Sequence, residues 1–234
     1  MLKRVIVPLA IIMSVLVFIQ CRHETDFSDF PVNPDLPAPS NTCDQDSVYF
    51  INSVLPLIKS SCAKAGCHDM GTAQNGIILT DYYRIKITGG VKPGNSGSSR
   101  LYKVLSKNGE SKMPPSPYAE FTSEQKAIIA KWIDQGALYN YCTEACSPEN
   151  FTFAADIYPL ISTNCRGCHS GNEPSGGIRL EDYTTIRAAV DNNSLYGSVA
   201  WLPGYSPMPK DGIRLTDCNI TQIKNWIDNG APNN

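Results

Sequence analysis

From Cys43 to the end, the chain is one unit written twice, and this repeat constrains the fold more tightly than any bulk property. The first copy runs from Cys43 to Asn140 and the second from Cys146 to Asn234. Gly76-Ile77-Ile78-Leu79-Thr80-Asp81-Tyr82 answers to Gly177-Ile178-Arg179-Leu180-Glu181-Asp182-Tyr183. Leu101-Tyr102 answers to Leu195-Tyr196, and Met113-Pro114 to Met208-Pro209. Trp132-Ile133-Asp134-Gln135-Gly136-Ala137 answers to Trp226-Ile227-Asp228-Asn229-Gly230-Ala231. So many landmarks in one order mean that both copies share one fold.

That fold reads as all-α. Phe50, Val54, Leu57 and Ile58 recur at helical spacing, as do Phe153, Ile157, Leu160 and Ile161. Pro56 and Pro159 predict a kink in these helices or a fresh start. Thr80 and Glu181-Asp182 mark the opening of a short second helix. Thr122 and Gln125 have capping-box spacing before the apolar face of Ile129, Trp132 and Ile133, and Gly136 suits a left-handed C-terminal cap. Thr216, Ile223, Trp226, Ile227 and Gly230 repeat that plan, and no segment alternates long enough to predict a sheet. Short domains bury a smaller share of their surface, and a large apolar cofactor would fill out each small core.

The second copy contains Cys165-Arg166-Gly167-Cys168-His169, a C-x-x-C-H motif. Two thiols at this spacing add across the two vinyl groups of a haem, and the adjacent histidine reaches the iron from the same side. A zinc site needs four ligands, whereas the whole chain has only 3 histidines. A thioredoxin-like motif would sit in a βαβ context, which is absent. The first copy has Cys62-Ala63-Lys64-Ala65-Gly66-Cys67-His68, with two more residues between its cysteines. On the repeat it occupies the same place, and Ala65 and Gly66 are small enough for the longer loop to bulge outward. Cys62, Cys67, Cys165 and Cys168 are therefore the expected attachment residues for two covalent haem c groups.

These motifs, with the downstream Met-Pro of each copy, resemble class I c-type cytochromes, particularly the planctomycete-type cytochrome c domains of bacterial lipoproteins. The resemblance covers residues 43–234. It implies two tandem class I cytochrome c-like helical domains, at 43–142 and 146–234, with a proximal histidine and a distal methionine in each. His68 with Met113 and His169 with Met208 are then the expected iron ligands. Elimination points the same way: His23, the spare histidine, lies far upstream, and Met70 follows His68 too closely to reach the opposite face. The alternative is that Met113 and Met208 are core residues.

Four further cysteines are Cys43, Cys142, Cys146 and Cys218. The repeat favours disulfides within each copy, Cys43 with Cys142 and Cys146 with Cys218, against the rival Cys142 with Cys146. Disulfides persist in exported proteins. Residues 1–20 support export: Lys3 and Arg4 precede an apolar run from Val5 to Ile19, shorter than the roughly 20 residues of a membrane span. The run ends at Cys21, where a bacterial lipoprotein signal places its lipidated cysteine, although Phe18, Ile19 and Gln20 are bulkier than that signal prefers. Residues 21–42 hold Pro31, Pro34, Pro37 and Pro39 and read as an extended linker. A lipid anchor to a bacterial membrane, in the periplasm or at the cell surface, is the expectation.

A formal charge of -2 gives no sign of nucleic-acid binding. His/Met ligation would fill both axial positions and leave no place for oxygen or peroxide. The expected function is electron transfer with redox partner proteins of the cell envelope, with no enzymatic activity. The alternatives are a dihaem peroxidase and a surface binding module with structural haems; Tyr82, Tyr83, Tyr183 and Tyr205 are the residues that would favour the last.

Overall fold

The computed structural model describes residues 43–142, 146–210 and 214–234. The expected signal segment (1–20), the lipidation candidate Cys21 and the linker (21–42) lie outside the described residues. Among the described residues the chain is helical, with no β-strand element. The first copy holds α1 (Leu55–Ser61), α2 (Tyr82–Thr88), α3 (Arg100–Lys103) and α4 (Ser123–Asp134). The second holds α5 (Tyr158–Asn164), α6 (Tyr183–Asp191), α7 (Ser194–Val199) and α8 (Asp217–Asp228).

Pro56 and Pro159 make fresh starts rather than kinks. Each stands in the first turn of its helix, directly after a π-helical turn spanning Phe50–Val54 or Phe153–Ile157. Proline has no N–H to continue a hydrogen-bond ladder, so the register changes just ahead of it.

The capping box of Thr122 and Gln125 is present at α4, and Thr216 accepts from the Asn219 amide at α8. At α2 the expected opening shifts by one residue. Asp81 is the cap, accepting from the Arg84 amide, while Thr80 donates its hydroxyl to Asp81. The reason is position: the backbone turns extended at Asp81, so only its side chain faces the free amides. Gly136 and Gly230 follow α4 and α8 at φ values of 101° and 85°, the left-handed region where glycine is cheapest.

Each copy builds its own apolar core around one aromatic trio. Phe50 packs against Tyr82 and Trp132, and Phe153 against Tyr183 and Trp226. The polar tips of these rings find main-chain acceptors. Tyr82 Oη donates to Ala137 O at 2.8 Å and Tyr183 Oη to Ala231 O at 2.9 Å. Trp132 Nε1 donates to Leu138 O and Trp226 Nε1 to Pro232 O, both at 2.9 Å. Tyr82 and Tyr183 are thus core residues, not a ligand surface.

The asparagine that ends each copy closes it. Asn140 Oδ1 accepts from the Phe50 amide at 2.8 Å and its carbonyl from Ile51; Asn234 does the same for Phe153 and Ala154. Disulfides join Cys43 to Cys142 and Cys146 to Cys218, one within each copy. The two apolar clusters are separate, yet the two copies belong to one compact unit, with α1 packed on α5. The copies are less independent than tandem domains on a string.

Candidate cofactor-attachment sites

Both motifs begin at the end of a helix. Cys62 caps α1 and Cys165 caps α5, each with its amide bonded 2.8 Å from a carbonyl of the last turn, Ile58 or Ile161. The chain then turns back on itself so that the histidine amide meets the first cysteine's carbonyl. His68 N lies 3.2 Å from Cys62 O and His169 N lies 3.0 Å from Cys165 O. The same closure forms with four intervening residues or with two, because a turn from Lys64 O to Cys67 N takes up the extra length.

The repeated Gly-Ile-x-Leu segment straps each motif from the other side. Leu79 N donates to His68 O at 2.9 Å, and Leu180 N to His169 O at 2.7 Å. Each imidazole is oriented by the same segment. His68 Nδ1 lies 3.2 Å from Ile77 O, and His169 Nδ1 lies 3.2 Å from Ile178 O. A carbonyl oxygen only accepts, so Nδ1 carries a proton and Nε2 is the nitrogen left for a metal. A main-chain carbonyl holding the far nitrogen is the arrangement that orients a metal-ligating histidine. Burial is the main cause holding His169 below the usual histidine range, which favours the neutral, ligating form.

Cys62, Cys67, Cys165 and Cys168 are free thiols. Burial pushes the Cys62 thiol up to about 12, and the enclosed sulfur of Cys165 likewise, although that residue keeps some exposed surface. Cys168 is also raised, chiefly by burial. Redox-active C-x-x-C pairs show the reverse, a thiol lowered toward neutrality. Among the described residues no group of three His, Cys, Asp or Glu side chains is arranged to hold a metal ion.

Each methionine comes from a separate segment, pinned through its backbone. Met113 N donates to Val104 O and Met208 N to Ser198 O, both at 3.0 Å. Val104 and Ser198 follow the matching Leu-Tyr pairs by the same two residues, so the attachment is one more repeated feature. Both methionines are half-buried, and both Met–Pro peptides are cis. In the second copy Trp201 Nε1 donates to Met208 O at 2.8 Å. Trp201, Leu202 and Tyr205 are exposed, an unusual amount of apolar side chain to leave in water on one loop, and Ile178 is exposed in the strapping segment.

The seam between the copies runs through the motifs themselves. Lys64 Nζ donates to Gly167 O, inside the second motif. Arg166 Nη1 donates to Glu120 O at 3.0 Å, and Cys168 Sγ lies 3.1 Å from Ser60 O. Gln125, whose Oε1 closes the α4 capping box, donates from Nε2 across the seam to Ser162 O at 3.0 Å. Lys64 also lies 4.4 Å from the centre of the Tyr118 ring. Sequence reasoning missed these seam residues. The available signal was divergence at Lys64 and Arg166, where the two motifs differ; Gly167 answers to Gly66 and gave none.

Comparisons of the chain with protein-family profiles, with curated proteins and with solved structures return no match.

Proposed function

We propose that this protein carries two covalently attached haems and transfers electrons in the cell envelope. One observation carries the reading: in both copies two free thiols stand beside a histidine whose Nδ1–H is committed to a backbone carbonyl, leaving Nε2 as the nitrogen available to a metal. The residues fit the group. Cys62 and Cys67, with Cys165 and Cys168, would each form two thioethers. In each, the sulfur bonds one vinyl carbon and its proton goes to the other, so no oxidant is consumed. His68 and His169 would ligate the iron through Nε2, with Met113 and Met208 as the second axial ligands.

A haem held in this way supplies a one-electron couple. The chain's own residues do the rest. Ile77 and Ile178 fix the imidazole tautomers, and Val104 and Ser198 fix the methionine loops. The exposed Ile178, Trp201, Leu202 and Tyr205 offer apolar surface of the kind a porphyrin edge covers. A second reading, a dihaem peroxidase, lacks a supporting observation.

Export follows from the same reading. The two disulfides are compatible with an oxidising compartment, and among the described residues no helix is long and apolar enough to cross a membrane. We read lipid on Cys21 as the membrane attachment, with a plain signal peptide or an uncleaved anchor at Val5 to Ile19 as the alternative.

Expression with a periplasmic haem-attachment system, followed by a pyridine haemochrome assay and intact mass, tests the reading. Two c-type haems per chain are expected, low-spin in both oxidation states and with negligible peroxide turnover. A chain without covalent haem ends the proposal; rapid peroxide turnover transfers it to the peroxidase reading.

A further inference from the structure

The first motif differs from the second by its two extra residues, and the structure gives those residues a use. They extend the loop far enough for Lys64 to leave its own motif and donate to the carbonyl of Gly167, between the two cysteines of the other. The ring of Tyr118 lies 4.4 Å from the same ammonium and holds it from a second side. Close packing fixes the acceptor in turn. A Cβ on Gly167 would lie 2.5 Å from the carbonyl carbon of Ser60, so the second motif rests directly on the end of α1. Cys168 Sγ, 3.1 Å from Ser60 O, sits in that contact. As a free thiol it donates to the oxygen; as a thioether it would have no proton to give, and the Lys64 bond would remain the polar tie between the motifs.

We propose that Lys64 is a positioning and potential-tuning residue for the second redox centre, delivered by the lengthened loop of the first. This deepens the haem reading above and rests on it. A fixed positive charge beside a centre that gains positive charge on oxidation disfavours the oxidised state, and a partly buried seam screens that effect less than open solvent does. Among the described residues the first motif receives no matching cation. Arg166, the cation of the second motif, turns instead to Glu120 O and lies 4.0 Å from the carboxylate of Glu181. The two centres, alike in ligands, are thereby made unequal.

The test is a potentiometric titration of the full haem-loaded chain against Lys64→Met and Lys64→Arg, each with its haem count measured first. Met208→Ala identifies which step belongs to the second centre. Lys64→Met is expected to shift that step downward by about threefold to tenfold in the oxidised-to-reduced ratio, where tenfold is about 59 mV for one electron. The other step should move less, and Lys64→Arg should titrate close to the original chain. Two loaded haems with unchanged midpoints in Lys64→Met would overturn the tuning role, even if thermal stability fell, because a purely structural tie lowers stability without selecting one step. An original chain that carries no haem would bring down the functional reading itself, and the haem count tells these failures apart. If Lys64→Met fails to accumulate, Lys64→Gln applies the same criterion with a polar side chain that keeps a donor but no charge.

Discussion

Gly167 is a position where a single methyl group decides whether the second motif can rest on α1. It needs no unusual backbone angle; what it needs is the absence of a side chain, because Ser60 main chain and Ser61 Oγ both stand 2.5 Å from where a Cβ would be. Backbone cannot rotate aside as a flexible side chain can. Gly167→Ala should therefore separate α1 from the second motif and cost about 1–3 kcal/mol, the usual price of overpacking, measured by denaturant unfolding. Two of the proposed haem-attachment cysteines, Cys165 and Cys168, flank this glycine, so under that reading the variant should also load its second haem less completely, with the first little affected. If Gly167→Ala unfolds at the same midpoint as the parent chain, the seam is looser than its geometry implies.

The helix caps show how far local rules carry and where they stop. Thr122 caps α4 through a neutral hydroxyl, whereas Asp182 caps α6 through a carboxylate. The hydrogen bond from the Thr185 amide is the main cause holding Asp182 below the usual carboxylate range. A depressed folded-state value means that its stabilising effect is present above the unfolded value of about 3.9 and is lost as pH falls through the folded one. Thr122→Ala and Asp182→Ala should each cost about 1 kcal/mol near neutrality. On acidification from about pH 5 to about pH 2 the Asp182→Ala penalty should shrink, as urea unfolding over that range will show. Sequence alone placed the α4 and α8 caps, because a threonine ahead of an apolar periodic run leaves few alternatives. It missed α2 by one residue, since Thr80 and Asp81 are adjacent and both able to cap, and only the backbone turn decides between them. It did not find α3 or α7 as helices, because Arg100–Lys103 and Ser194–Val199 are too short for a periodicity to develop.

At the scale of the whole molecule, the repeat made the two cores legible and concealed how they meet. Phe50, Tyr82 and Trp132 could be matched to Phe153, Tyr183 and Trp226 by eye, because shared landmarks mark what each copy does alone. A seam between copies is built from residues that differ, and divergence carries no address: nothing in the sequence pairs Lys64 with Gly167 or Gln125 with Ser162. The consequence for function is that the two proposed centres should respond to one another. On the proposed reading Met208→Ala should leave the second haem attached, since Cys165 and Cys168 would hold it covalently and Met208 would not. Loss of the soft sulfur should lower that centre's potential and open its iron to carbon monoxide. Met113→Ala should give the reciprocal result in the first. In each variant the unmutated centre should also shift, by a smaller amount, because the motifs are in contact through Ser60, Lys64, Gly167 and Cys168. Two fully independent domains would show no such second shift. A titration resolving both steps checks the large and the small displacement together. If neither step moves and no open-site spectrum appears, Met113 and Met208 are core residues and the axial assignment falls.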